Sequence, residues 1–337
     1  MANLQMLDAG LRRLSSVRVT AYTNQGAIMS LNKIDTHQHF FPKVYIDAVG
    51  MDVLAAQMPN KRAPEWSPDR AIAMMDAAGI AEGILSVSSV PMTDRQGTIA
   101  RGCNDAAADL RHRYPGRFGA FASLPLPDMD ASLAEAAYAL DTLDADGFIV
   151  FTSYEGAYLG DARFTPLWEE LDRRGAVVLI HPNEPSYDLP LVAPASVLEF
   201  PFETTRTATS LIIAGVLSRF PRIRFILSHA GGALPFLFPR IALSLQMMPG
   251  VIDRIGDPAG AFRAFYYDTA LAAGAATFAA LGQVADPERI VFGTDFPMAP
   301  DFGLDTFSAA LEAMDVPGLS RPAIYRQNAA RLLGRTS

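Results

Sequence analysis

Short apolar runs recur along the chain, each followed by a stretch whose apolar positions repeat with helical spacing. Eight runs read as strands, at 33–36, 83–88, 118–124, 147–152, 177–181, 224–229, 265–269 and 289–294. Helical periodicity fills the intervals, most clearly at 68–78, 131–143, 166–174, 204–220 and 278–285, and 319–333 reads as a closing helix. Short strands alternating with helices predict a parallel sheet. The strand runs are almost continuously apolar, as expected where helices cover a sheet on both faces. Eight repeats of the unit favour an α/β fold of the closed (β/α)8 type, a TIM barrel, over an open doubly wound sheet. The barrel is assigned to 31–337 and an N-terminal extension to 1–30.

Two segments exceed the repeat. One runs over 41–66 after strand one, the other over 183–202 after strand five. Loops of this length in a compact domain are usually functional or disordered, and both leave the ends of strands where barrel enzymes carry their chemistry. Beyond the second insertion, Thr204 or Thr205 is placed as the N-cap of a helix opening at the active-site face. The segment Gly231–Arg240 carries Leu234, Phe236, Leu237 and Phe238. Pro235 and Pro239 are expected to prevent a long buried helix there, leaving an apolar contact surface for a second copy of the chain.

Composition narrows the function classes. The chain has 337 residues, half of them hydrophobic, and a net charge of −8, with no basic cluster for nucleic acid. The apolar runs are too short to cross a bilayer. Arg12, Arg13 and Arg18 lie near the N-terminus without a continuous apolar segment, so no secretory signal is expected there. The single cysteine, Cys103, can form neither an intrachain disulfide nor a cysteine-based zinc site, which fits a reducing cytoplasm.

The chemistry lies at strand ends. Of the five histidines, His37 and His39 follow strand one, His181 ends strand five and His229 ends strand six. Asp295 ends strand eight. In an extended backbone residues two apart point to the same side, so His37 and His39 can share one ion. Five polar groups at the ends of apolar strands converge above a barrel, which predicts a metal site. His112, on a helix, is assigned to the surface. A bridged two-metal centre needs an anion at the end of strand four, often a carbamylated lysine. Strand four ends in Phe151-Thr152-Ser153, and the only lysines, Lys33, Lys43 and Lys61, precede strand two. One divalent metal is therefore expected, Zn²⁺ ahead of Mn²⁺.

These residues carry a family resemblance. The motifs are IDTHQHFFP at 34–42, PEWS at 64–67, FPFETTRT at 200–207, SHAGGALPF at 228–236 and VFGTDFP at 291–297. From Lys33 onward the chain resembles the decarboxylase branch of the amidohydrolase superfamily, which includes amino-carboxymuconate-semialdehyde, γ-resorcylate and 6-methylsalicylate decarboxylases. The resemblance implies His37, His39, His181 and Asp295 as the metal ligands and His229 as a base that is not a ligand. It also implies that Arg240 reaches a neighbouring subunit's pocket to hold a substrate carboxylate, in a homodimer.

The expected activity is non-oxidative decarboxylation of a hydroxylated aromatic or conjugated acid, with Asp295 or His229 supplying the proton. Arg206 and the aromatic Phe296 are expected at the substrate, a small carboxylate. Arg62, Phe40, Phe41, Trp66, Phe151 and Tyr154 lie in the same strand-end segments. The same ligands serve a mononuclear hydrolase of a lactone, ester or amide, in which the metal makes hydroxide. A non-catalytic metal-binding scaffold is the third class; five converging polar groups without turnover would be unusual.

Overall fold

The computed structural model describes residues 32–88, 96–186, 190–299 and 301–335. The extension expected at 1–30 lies outside them. Eight parallel strands form one sheet in chain order: β1 (Lys33–His39), β2 (Ile80–Ser86), β3 (Phe118–Ser123), β4 (Gly147–Phe151), β5 (Val177–His181), β6 (Arg224–Leu227), β7 (Tyr266–Asp268) and β8 (Ile290–Val291). The segment after β8 returns to β1. Thr36 N donates to Phe292 O at 2.9 Å, Asp295 N to His37 O at 2.8 Å and His39 N to Phe296 O at 2.7 Å. Those bonds join the sheet's two ends into a (β/α)8 barrel, and they place Asp295 beside His37. Every residue of β4 and β5 is buried, which is why these strands read as unbroken apolar runs.

The helices follow local signals. For α3 (Pro68–Ala78), the Ser67 side chain accepts a hydrogen bond from Arg70 N, Pro68 opens the helix, and Gly79, at φ 69°, ends it in the left-handed region. The first insertion is not irregular throughout: it folds α1 (Lys43–Val49) and α2 (Met51–Gln57). Ser196 Oγ donates to Gln57 O at 2.9 Å and so ties the second insertion to the first. Helices α4 (Gln96–Arg113), α5 (Met129–Asp141) and α6 (Thr165–Arg174) cover β2 to β5. Among the described residues no helix is long and apolar enough to cross a membrane.

Two expectations about helices are corrected. Helix α7 (Glu199–Ile213) begins five residues before Thr204, so neither Thr204 nor Thr205 is its N-cap. Thr204 Oγ1 donates back to Phe200 O at 3.1 Å and Thr205 Oγ1 to Pro201 O at 2.8 Å. The back-bond satisfies a mid-helix threonine without a cap, and Pro201 is tolerated because it falls in the first turn. Helix α8 (Leu234–Met247) is continuous despite Pro239. Pro235 stands where a missing N–H costs nothing. Pro239 removes a single helical bond. The helix buries Leu234, Pro235 and Leu245 and presents Phe236, Leu243 and Met247 outward at 81%, 61% and 77% exposure.

Candidate metal centre

The mouth of the barrel is built around an irregularity in β1. Between Asp35 and Gln38 the register with β2 slips, so three residue steps on β1 face two on β2, from Gly83 to Leu85. An extra residue of this kind bends a strand and re-aims side chains. His37 and His39 lie at this bend and both point inward, their Nε2 atoms 3.2 Å apart. His181, at the end of β5, brings its Nε2 to 3.2 Å from that of His39. Asp295 Oδ1 lies 3.1 Å from His39 Nε2 and 3.5 Å from His37 Nε2. All four are buried, and their ligating atoms lie within 4.8 Å of one another. Ligands at about 2.0–2.1 Å around a tetrahedral Zn²⁺ stand about 3.3–3.4 Å apart. The short edges of this cluster match that spacing, and the longer ones leave one side open.

The outer nitrogens decide whether the cluster suits a cation. His37 Nδ1 is 2.6 Å from Asp268 Oδ2. His181 Nδ1 is 2.9 Å from the carbonyl of Pro182. His39 Nδ1 is 3.2 Å from Ser86 Oγ, whose own proton goes to Gln38 O. Each Nδ1 thus has an acceptor for its proton, and once a ring is neutral that proton leaves the Nε2 lone pair turned inward. Asp295 Oδ1 is buried without a hydrogen bond. Three lone pairs and a carboxylate oxygen held at this spacing repel one another unless a cation lies between them. The donor set and its tautomers fit one divalent metal.

Burial pushes His181 well below the ordinary histidine range, helped by the histidines around it, and burial also lowers His39. Burial opposes charge on His37 as well, but Asp268, through charge and hydrogen bond, lifts it to about 9, so below that pH its Nε2 must release a proton as a cation binds. Burial works against ionisation of Asp295, yet the histidines hold its carboxyl below the usual range. Asp35 is fully buried and raised by that burial to about 6. It accepts from His37 N at 3.1 Å, Thr294 N at 3.0 Å and Thr294 Oγ1 at 2.5 Å. Asp35 thus knits β1 to the loop carrying Asp295, which is held at φ 62°.

His229 stands apart from the four. It follows β6, is half-buried, and has its ring centroid 5.1 Å from that of His37 and 5.9 Å from that of His181. Its Nδ1 donates to Ala270 O at 3.0 Å, so Nε2 is the atom left to exchange a proton. Phe151 and Phe200 each lie 6.5 Å from the His181 ring. Trp66 packs edge-on to Phe40 at 5.9 Å. A cavity of about 370 Å³ opens between the two insertions, with Gln57, Lys61, Pro194, Ser196 and Phe200 among its walls. A larger one, about 540 Å³, opens by Glu82, Arg111, His112 and Arg335, near the starts of β2 and β3 and away from His37, His39, His181 and His229.

The remaining expected site residues are dispersed. Phe296 is 1% exposed, and its backbone closes the barrel seam against β1. The Arg206 side chain is half exposed on α7, its Nε 3.4 Å from Glu203 Oε1. Arg240 is exposed on α8 and His112 on α4; Arg62 is exposed in the first insertion. Asp268, Asp35 and Ser86 were absent from the expected set. An aspartate ending an apolar strand, as in Tyr266-Tyr267-Asp268, was the one signal for the first, and it does not distinguish an orienting carboxylate from any other.

Comparison with known proteins follows the same lines. A family model described as amidohydrolase matches residues 34–335. The 6-methylsalicylic acid decarboxylase of Penicillium expansum is 38% identical over 297 residues, covering 85% of this chain and 91% of its own. A solved amidohydrolase II superposes with a TM-score of 0.81 at 30% identity, covering 90% of this chain and all of that one. A 2,6-dihydroxybenzoate decarboxylase solved with 2,6-dihydroxybenzoate gives a TM-score of 0.70 at 26% identity, over 90% of this chain and 99% of that one.

Proposed function

The chain belongs to the amidohydrolase family, and on that footing we propose that it is a metal-dependent decarboxylase of a hydroxylated aromatic acid of the 6-methylsalicylate type. The observation that carries the reading is the inward convergence of three Nε2 atoms and Asp295 Oδ1. His37, His39, His181 and Asp295 would hold the metal. Zn²⁺ is the ion we assign, because nitrogen-rich donors at near-tetrahedral spacing suit it better than Mn²⁺, which favours oxygen ligands. When bound, such an ion supplies Lewis acidity toward the oxygens of the substrate.

The chain's own groups provide the rest. His229 delivers a proton from Nε2 to the ring carbon that bears the carboxylate. The carbon–carbon bond to the carboxylate then breaks, its electron pair returns to the ring, and CO2 leaves. The product is the same arene with hydrogen in place of the carboxylate, and His229 recovers its proton from solvent. We assign the acid role to His229 ahead of Asp295 because His229 is half-buried, whereas Asp295 faces three imidazoles. Phe151 and Phe200, close to His181, offer apolar walls for a ring.

We further propose a homodimer through the outward face of α8. Phe236, Arg240, Leu243 and Met247 recur at helical spacing, so the exposed apolar side chains and Arg240 share one face. A face of this kind suits a second copy of the chain, with Arg240 delivering its planar fork to the partner's substrate carboxylate. The substrate reading is tested by a panel of hydroxybenzoates, 6-methylsalicylate included, followed by ultraviolet absorbance and CO2 release. Cleavage of a lactone or ester panel without any CO2 from the acids would make the chain a hydrolase instead.

A further inference from the structure

The structure assigns to Asp268 the task of positioning two site histidines at once, one on each carboxylate oxygen. Asp268 ends β7 and is fully buried. Its Oδ2 accepts from His37 Nδ1 at 2.6 Å. Its Oδ1 accepts from His229 N at 2.7 Å and from Ala270 N at 3.0 Å. The two histidines come from different strands, β1 and β6, and this carboxylate is bonded to both.

The Oδ2 bond sets a tautomer. With its proton on Nδ1, His37 turns a lone pair toward His39 and Asp295; with the proton on Nε2, it would put a hydrogen where those atoms converge. The Oδ1 bonds set a backbone. His229 and Ala230 lie at φ 54° and 56°, in the left-handed region that side chains with a Cβ disfavour. The surroundings must therefore hold them there. Oδ1 anchors the His229 N–H, and it also anchors the N–H of Ala270, whose carbonyl receives His229 Nδ1. A single oxygen thus secures the backbone of His229 and the acceptor that orients its ring.

The inference rests on the metal reading for its His37 arm, and the test separates the two. In Asp268→Asn the amide oxygen can still accept from His229 and Ala270, but the amide nitrogen can only donate toward His37 Nδ1. His37 must then carry its proton on Nε2. Zn²⁺ affinity, measured by chelator competition, should fall about 10–100-fold, the usual effect of losing a ligand's outer partner. Nitrogen NMR of the metal-free protein, recorded above about pH 9 where the His37 ring is neutral, should report the tautomer switch. Asp268→Ser, too short to reach both histidines, should lower kcat at saturating Zn²⁺ with little change in KM. Because that loss acts through His229, adding His229→Ala to it should bring little further loss.

Unchanged Zn²⁺ affinity and an unswitched His37 in Asp268→Asn would overturn the His37 arm. Losses from Asp268→Ser and His229→Ala that multiply would overturn the His229 arm. If Asp268→Ser does not fold, the Asp268→Asn measurements still decide the first arm, and the cycle is run with Asp268→Thr. A wild-type chain that binds no Zn²⁺ in the same titration would instead sink the metal reading, while the NMR tautomer would still test Asp268.

Discussion

Gly293 lies behind a metal ligand, and adding one methyl group there tests how tightly the centre is built. A Cβ at this position would meet His37 Cβ at 2.9 Å and the Cβ atoms of Ala270 and Asp268 at 3.4 Å. Carbon atoms rest at about 3.5–4.0 Å, so His37 must withdraw by about 0.6–1 Å in Gly293→Ala. Metal–ligand distances tolerate only about ±0.2 Å, so His37 cannot withdraw and still bind well. Zn²⁺ affinity should fall at least about 10-fold. The overpacked barrel should lose about 1–3 kcal/mol. With an unfolding entropy of about 2.1 cal/mol/K per residue over about 300 residues, that lowers Tm by about 2–5 °C. Chelator competition reads the first effect and calorimetry of the metal-free protein the second. Gly274→Ala is the control, since nothing lies within 4 Å of its Cβ and its φ of −177° suits any residue. Wild-type Zn²⁺ affinity in Gly293→Ala would refute the claim that His37 has no room to move.

Three further outcomes follow from the site. His229→Ala should purify with its metal but lose turnover by about 10²–10⁴-fold, the range for general acid catalysis; loss of metal from that variant would make His229 a ligand. Arg206→Lys keeps the charge but loses the planar fork, so KM should rise if Arg206 steers the anionic substrate, whereas unchanged kinetics would leave it only its place beside Glu203. Inactive Arg240→Ala and inactive His229→Ala chains, refolded together, should recover about one working site per mixed dimer if Arg240 acts across an interface. Mixed dimers that stay dead would put Arg240 in its own chain's site, and a monomer in sedimentation would remove the interface.

The barrel was legible because its strands are covered on both faces. Runs such as Val177–His181 are buried throughout, so apolar pattern and strand coincide. The edges were less legible. The reading of 289–294 as one strand was too long, because after Val291 the chain turns to seat Asp295 at positive φ. Thr204 and Thr205 have the chemistry of a cap, and only the back-bonds to Phe200 and Pro201 tell the two uses apart. Pro239 marked a break that helix α8 absorbs. The convergence of His37, His39, His181 and Asp295 was readable because barrel geometry brings strand ends together regardless of their distance in sequence. Asp268 and Asp35 were not, since a carboxylate that orients a ligand looks in sequence like any aspartate at a strand end. The β1 register slip depends on pairing with β2, which no local pattern records.

The most direct test of the account is a metal titration of the stripped protein, read as release of labelled CO2 from a carboxyl-labelled hydroxybenzoate that the wild-type chain turns over. The stripped chain should release none. Added Zn²⁺ should restore release in proportion, with a break at one equivalent per chain, as four converging ligands without a bridging anion require. Release that survives stripping, or a break at two equivalents, would contradict a single divalent metal held by His37, His39, His181 and Asp295.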